Sequence, residues 1–239
     1  MSGVVSKLAA RPAWSPHCQR SGIKGRGRSA RCETVHSLSE PGKNRYMEPR
    51  IEVEPIDRLD EHALIPIAFT VERVLAVSLE GSGLGGIRLS ETGVDVPWVK
   101  DYDLIKGKGP TRWPKRFDTS NWGLIAAYDG TERVGGAVIA FDTAGAHMLE
   151  STPGTAVLWD LRVNPAHRGS GVGSALFGAA EDWCRQRHCR HLKVENQNVN
   201  VPACRFYARV GCRLGAIDTR AYPELPDEAQ LVWFKDLTP

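Results

Sequence analysis

One continuous segment, Val157 to Phe177, limits the possible folds of this chain more than any other stretch. Its sequence is VLWDLRVNPAHRGSGVGSALF: an apolar run ends at Val163, Asn164-Pro165 turns the chain, and a glycine-rich loop leads into apolar residues at helical spacing. Glycines let a backbone approach a ligand closely, and the free amides and dipole of a helix N-terminus favour negative charge. The segment therefore predicts a strand, a loop that binds phosphate groups, and a helix.

The residues around this loop argue against two common phosphate-binding folds. A P-loop requires Lys and then Ser or Thr after its last glycine, whereas Gly173 is followed by Ser174 and Ala175. A dinucleotide-binding fold places its glycine-rich turn in the first βαβ unit, near the domain start. This loop lies deep in the chain instead, after a predicted hairpin.

Two segments resemble the signatures of the GNAT superfamily of N-acetyltransferases. RGSGVG, Arg168 to Gly173, resembles its acetyl-CoA loop, and VENQNVNVPACRFYARVGC, Val194 to Cys212, resembles its second signature, in which an Asn precedes a Tyr on a short helix and then Gly. The resemblance implies an α/β (α+β) GNAT fold: a central, mixed, mostly antiparallel twisted sheet flanked by helices, with an irregular acceptor-side loop. It also implies acetyl-CoA as the cosubstrate and no metal.

The same resemblance implies roles for individual residues. Tyr207 would protonate the departing thiolate, which suits a phenol with a pKa of about 10. A backbone amide of the strand before the loop would bind the oxyanion, and this strand would splay and pair with the pantetheine arm. The residues that would bind the cofactor are Leu161, Arg162, Val163, Arg168, Gly169, Ser170, Gly171, Val172, Gly173, Ser174 and Asn200.

Transfer to an amine requires a base, because an alkylammonium has a pKa of about 10.4 and is mostly charged at neutral pH. Asp160 and Glu195, at the ends of central strands, are the candidates, with a water chain as the alternative. Asp160 lies in an apolar strand, so we expect a partly buried carboxylate with a raised pKa, which suits a base. A structural hydrogen bond is the other interpretation of Asp160. Glu195 is the weaker candidate, because strand alternation can turn it toward solvent.

The acceptor half resembles the streptothricin acetyltransferases. Phe69 to Asp103 resembles their N-terminal part, including a Pro-x-x-Lys segment, and LGAIDTRAY, Leu214 to Tyr222, resembles the region after the signature helix. This implies a small cationic amine acceptor of the streptothricin type. Four aromatic residues would line its site, with core packing as the alternative for each tryptophan: Trp98, Tyr102, Trp122 and Trp159. Asp101, Asp103 and Asp160 would attract the cation.

The loop from Lys106 to Ser120 departs from that family, so two other functions stay open. One is a protein or peptide N-acetyltransferase, which shares all the cofactor features. The other is a non-catalytic acetyl-CoA sensor domain. An open groove on the acceptor side would favour a protein or peptide N-acetyltransferase. A closed, acidic, aromatic pocket would favour a small amine.

Charge is distributed unevenly along the chain. The formal net charge is +3, but residues 1–46 hold nine Lys and Arg against two Glu, about +7, which leaves about −4 for the remainder. The tail is rich in Arg, Ser, Gly and Pro, so we expect residues 1–46 to be disordered and residues 47–239 to form the GNAT domain. Met47 as the true initiator and a transit segment are the two alternatives for the tail. A mildly acidic body suits a cationic substrate and does not support nucleic-acid binding.

Nothing in the chain is typical of a secretory signal or a membrane span. We therefore expect a cytoplasmic protein without membrane contact, a monomer or homodimer, whose six cysteines are reduced. The cysteines include no CxxC pair, so a zinc site is not expected.

Periodicity and turn residues predict the elements along the domain. Residues 59–67 predict a short helix entry, 97–118 an irregular loop, and 173–186 and 202–210 helices. The predicted strands are residues 51–56, 69–79, 87–94, 122–128, 134–141, 156–163, 192–195, 214–218 and 231–235.

Overall fold

The computed structural model describes residues 48–105, 109–149 and 154–237. The predicted tail, residues 1–46, and Lys106 at the start of the predicted loop lie outside the described residues. The helices are α1 (Leu59–Ala63), α2 (Val172–Arg185) and α3 (Val201–Arg209). The strands are β1 (Arg50–Glu54), β2 (Phe69–Glu80), β3 (Gly86–Lys100), β4 (Gly123–Asp129), β5 (Glu132–Ala140), β6 (Thr155–Val163), β7 (His191–Gln197), β8 (Arg213–Asp218) and β9 (Gln230–Asp236).

Seven strands form one sheet in the order β1-β4-β5-β6-β7-β9-β8, and β2 and β3 form a separate ribbon. Every neighbouring pair in the large sheet is antiparallel except β6 and β7, which are parallel. The predicted mixed, mostly antiparallel sheet flanked by helices is therefore confirmed.

Two apolar strands, β4 and β5, form a hairpin next to the central strand β6. The turn of the hairpin contains Asp129-Gly130, and Gly130 has a φ of +57°, a conformation that glycine adopts without strain. Residues Leu124 to Ala127 are completely buried, as are most residues of β5. Strands that are covered on both faces have continuous apolar sequences, and this pattern made the hairpin predictable.

The two faces of the sheet are covered differently. The α2 face packs against Leu176, Phe177 and Ala180 of helix α2. The opposite face, here called the α1 face, packs against Leu59 of α1 and against Trp113 in a 3-10 helix at Pro110–Lys115. Of the helices in the described ranges, none is both long and apolar enough to cross a membrane.

Strand β3 is longer than its predicted range, 87–94. It continues through Pro97 to Lys100, so the first residues of the predicted irregular loop, 97–118, are extended and paired with β2. Pro97 lacks an amide donor, but it lies where the register shifts between Val71 and Arg73 of β2, and there a missing ladder bond is tolerated.

Candidate active site

Strands β6 and β7 diverge in the middle of the sheet and leave a gap between them. Their parallel pairing ends at Leu158 and Val194, beyond which β6 pairs only with β5, and β7 only with β9. A register shift opposite Val138 and Ile139 leaves Trp159 as an extra residue in β6, and such a bulge bends a strand. From Trp159 onward one edge of β6 faces the gap instead of a neighbouring strand. An extended ligand chain can pair with such an edge, as predicted for Leu161 to Val163.

The glycine-rich loop lies where β6 leads into α2. Gly169 and Gly171 have φ values of +83° and +104°, which a residue with a Cβ adopts only with strain. Gly171 is the N-cap of α2, so the amides of Val172, Gly173 and Ser174 begin the helix without an intrahelical partner. This is the arrangement that binds pyrophosphate at a helix N-terminus.

Arg168 anchors the loop to the segment after α1. Its guanidinium donates to the carbonyl oxygens of Val163 at 3.1 Å, Ala68 at 3.0 Å and Pro66 at 3.2 Å. The residue is nevertheless exposed. Arg168 is therefore a cation held in a fixed place beside the loop, as its predicted role requires.

Asp160 lies in a buried ionic network on the α1 face. Its carboxylate accepts from Arg162 of the same strand, with Nε 3.0 Å from Oδ1, and lies 3.2 Å from Nε2 of His62 on α1. The terminal nitrogens of Arg162 donate to Asp103 at 2.7 and 2.8 Å and to the carbonyl of Ile65 at 3.1 Å. His62 is completely buried and the Asp160 side chain is only 6% exposed.

These partners overturn the predicted raised pKa of Asp160. Burial by itself raises the pKa of the carboxyl group, but the hydrogen bond to His62 and the charge of Arg162 outweigh it, so the pKa lies below its ordinary value. A carboxylate that holds its charge this firmly is a poor proton acceptor. The structure therefore favours the alternative interpretation, a structural and electrostatic role for Asp160. The side chain of Arg162 is part of this network, so only its backbone faces the gap.

Glu195, on the other side of the gap, is not turned to solvent as sequence alternation suggested. Its neighbour at i−2, Lys193, donates to the carbonyl of Met148 at 3.0 Å and lies over the ring of Phe234, both on the α1 face. Residues two apart on a strand share a face, so Glu195 projects from the same face as Asp160. It is half-buried, and the hydroxyl of Tyr222 donates to its Oε1 at 2.7 Å.

Tyr207 lies on α3, close enough to β6 for the charge of Asp160 to act on it, and its ring centroid lies 6.4 Å from that of Trp233 on β9. It is buried, and burial raises the pKa of its hydroxyl above the ordinary range, with a smaller contribution from the charge of Asp160. The phenol therefore stays protonated at neutral pH and is able to donate. Asn200 is the N-cap of α3, where its side chain accepts from the amide of Ala203 at 3.2 Å. Asn200 thus stabilises the helix that carries Tyr207.

The four predicted substrate-binding aromatics fall into two groups. Trp122 and Trp159 have ring centroids 5.1 Å apart, but Trp122 is buried and donates to Thr143 at 2.8 Å. Core packing, the alternative interpretation, therefore describes Trp122, whereas Trp159 is half-buried next to the gap. Trp98 lies on β3 opposite Val71, and Tyr102 follows that strand. Tyr102 donates to Gln197, the last residue of β7, at 2.8 Å.

Sequence reasoning missed two polar partners of this site. Lys100, of the Pro-x-x-Lys segment, is buried and bonds both oxygens of Glu228 at 2.6 and 2.7 Å, which ties the end of β3 to the loop before β9. His62 was also missed, although its counterpart is visible in the sequence: Gly135-Gly136 in an otherwise apolar strand. A Cβ on Gly136 would lie 2.4 Å from Nδ1 of His62. A glycine inside a strand pattern indicates that another group approaches closely.

Comparison with known proteins agrees with this geometry. Residues 97–212 match the sequence model of the Acetyltransferase (GNAT) family. Streptothricin acetyltransferase of Streptomyces lavendulae is 27% identical over 163 residues, which cover 68% of this chain and 80% of that protein. The matched segments span between 48% and 80% of the lengths of the curated streptothricin acetyltransferases.

Solved structures share the fold. Nourseothricin acetyltransferase is 26% identical, with a TM-score of 0.61 over 80% of this chain and 99% of that one. A protein from Bacillus anthracis str. Ames, solved in complex with acetyl coenzyme A, has a TM-score of 0.62 and 24% identity over the same shares. Residues 97–212 therefore match the GNAT acetyltransferase family, and the relatives named here are acetyltransferases.

Proposed function

We propose that this GNAT domain transfers the acetyl group of acetyl-CoA to a primary amine of a small cationic molecule of the streptothricin type. The observation that carries the proposal is the gap between β6 and β7. The glycine-rich loop lies at one end of this gap, and Asp160, Glu195 and Tyr207 surround it. The four cysteines of the described residues are free and buried, which supports a cytoplasmic location.

The cofactor half of the site supplies binding and polarisation. The amides at the start of α2, with Arg168 beside them, bind the pyrophosphate. The free edge of β6 from Leu161 to Val163 pairs with the pantetheine arm, and one of its amides donates to the oxyanion that forms at the thioester carbonyl. Tyr207 donates its proton to the departing sulfur, which its raised pKa allows at neutral pH.

The acceptor half has the charge that a cationic amine requires. Asp160, Arg162 and Asp103 together hold one net negative charge, and Glu195 adds another on the same face. Trp159 borders the same space and offers a ring face to a cation. The streptothricin acetyltransferases with which this chain aligns act on the acceptor that their name states, which supports this class of amine.

A turnover screen tests the proposal. Acetyl-CoA is combined with streptothricin, polyamines, aminoglycosides, lysine or short peptides, and thiol release is followed, with acetyl-CoA alone as the control. We expect the highest kcat/KM with streptothricin. Preference for peptides would instead favour a protein or peptide N-acetyltransferase. Absence of thiol release with every amine, while acetyl-CoA still binds, would leave the sensor function.

A further inference from the structure

Four carboxylates lie on the acceptor side of the gap, and they differ in their partners: Asp103 is paired with Arg162. Asp160 is paired with Arg162 and His62, and Glu228 with Lys100. Within the described ranges, Glu195 forms no ion pair with any Lys, Arg or His, and its bond at 2.7 Å comes from the neutral hydroxyl of Tyr222. Glu195 is therefore the carboxylate here whose charge remains available to a ligand.

We propose that Tyr222 is a positioning residue, which holds the carboxylate of Glu195 in place to accept a proton from the acceptor ammonium. The inference rests on the proposed function. It names a partner for Glu195 that lies 27 residues further along the chain, in the loop between β8 and β9. Tyr222 acts through Glu195 and does not itself touch the reacting atoms.

The choice of a phenol as the partner matters for the chemistry. Arg162 holds Asp160 in place but also neutralises it, whereas a phenol orients a carboxylate without cancelling its charge. Tyr222 is only 2% exposed. Burial and the charge of Glu195 both raise the pKa of its hydroxyl above the ordinary range, so it remains protonated, and a donor, at neutral pH.

The other charged groups around Glu195 leave this arrangement intact. Lys193 lies on the same strand and attracts Glu195 electrostatically, but it is bonded to Met148, and burial outweighs that attraction and lowers the pKa of Lys193. Tyr102, after β3, bonds to Gln197. Lys100 and Glu228 neutralise each other, and Asp160 across the gap is held by Arg162.

The ammonium gives one proton to Glu195, and the free amine nitrogen attacks the thioester carbonyl carbon, so that a C–N bond forms and the C–S bond breaks. The departing sulfur takes the proton of Tyr207, and the resulting phenolate takes the second proton from nitrogen. Glu195 then releases its proton to solvent, so each turnover yields one proton.

The pH profile of kcat/KM separates a positioning role from a structural one. Its acidic limb reports the ionisation of the base in the free enzyme. Tyr222→Phe removes a hydrogen bond that favours the ionised carboxylate, so we expect this limb to move by about one unit to higher pH and kcat to fall about tenfold. Acetyl-CoA affinity, measured by calorimetry, should change less than about twofold. An acidic limb that stays in place would overturn the inference.

Tyr128→Phe is the matched control. Its hydroxyl donates to Glu54 at 2.5 Å, a second phenol–carboxylate bond, on β4 and away from the gap. We expect this variant to lower the melting temperature without moving the acidic limb. An equal shift of the limb in both variants would show that the effect of Tyr222→Phe is not specific, and would overturn the proposal.

Glu195→Gln supplies a second, independent variant in case Tyr222→Phe fails to fold. It keeps the size of the side chain and an acceptor for Tyr222 but removes the base. We expect kcat/KM to fall about 100-fold or more while acetyl-CoA still binds, and wild-type turnover would overturn the inference. If the proposed function is wrong, neither the wild type nor any variant releases thiol with an amine. If only the role of Tyr222 and Glu195 is wrong, the wild type still releases thiol.

Discussion

Asp160 and Arg162 lie two residues apart on β6 and bind each other on one face of the sheet, with Nε of Arg162 3.0 and 3.1 Å from the two carboxylate oxygens. The same guanidinium also binds Asp103 and a backbone carbonyl of the segment after α1. This one side chain therefore joins the strand beside the gap to the segments that cover it. Asp160 therefore contributes charge and rigidity at the gap, and we propose Glu195 as the proton acceptor.

Asp160→Asn is expected to lower stability as well as turnover. The change leaves Arg162 buried with one charged partner instead of two and weakens the bond to His62. Breaking a buried ion pair on one side costs about 3 kcal/mol of unfolding free energy. Urea denaturation at neutral pH measures it, and Asp103→Asn is the control: its side chain is 33% exposed, so we expect a loss below about 1 kcal/mol. Equal losses of unfolding free energy in the two variants would contradict the difference in burial between Asp160 and Asp103.

The same network predicts a pH dependence of stability. The pKa of Asp160 is lower in the folded protein than its ordinary value, so the group stabilises the fold above its unfolded pKa of about 3.9. This contribution is lost as the pH falls from there through the folded pKa. The difference in unfolding free energy between wild type and Asp160→Asn should therefore be constant near neutrality and shrink below about pH 4. A difference that grows on acidification would refute the direction of the shift.

Gly136→Ala tests the close approach of α1 to the sheet. The added Cβ would lie 2.4 Å from Nδ1 of the completely buried His62, so either the ring or α1 must move. We expect unfolding free energy to fall by about 1–3 kcal/mol, as for other overpacked cores, and His62 to lose its contact with Asp160. Gly178→Ala on α2 is the control, since nothing lies within 4 Å of its added Cβ. There we expect a gain of about 0.5–1 kcal/mol from helix propensity.

The parts of the structure that were predictable from sequence are those that local patterns determine. The strands other than β3, the Asp129-Gly130 hairpin and the start of α2 after the glycine loop all fall within two residues of their predicted bounds. Each depends on side-chain periodicity or on the conformational range of glycine, which act within a few residues. The same holds for the burial of Asp160, which follows from its apolar neighbours.

The contacts that set the chemistry were not predictable in this way. His62 and Asp103 lie 98 and 59 residues from the side chains they bind, so no local pattern identifies either of them as the partner. Gly135-Gly136 indicates only that some group approaches β5 closely. Without His62 and Asp103 the burial of Asp160 suggested a raised pKa, the wrong direction. The face on which Glu195 lies depends on how β7 pairs with β9, and a single-residue shift in register reverses it.

Gly171→Ala tests the glycine loop directly. Gly171 caps α2 with a φ of +104°, so an alanine there either adopts a strained conformation, at about 1–2 kcal/mol, or shifts the amides of Val172 and Gly173. We expect acetyl-CoA affinity, measured by calorimetry, to fall at least about tenfold, since we propose that those amides bind the pyrophosphate. Gly145→Ala is the control: Gly145 has a φ of +76° in the loop between β5 and β6 and nothing within 4 Å of an added Cβ. This variant should lose a similar amount of stability and keep its affinity for acetyl-CoA. An equal loss of affinity in both variants would mean that strain alone, and not the position of the loop amides, weakens binding.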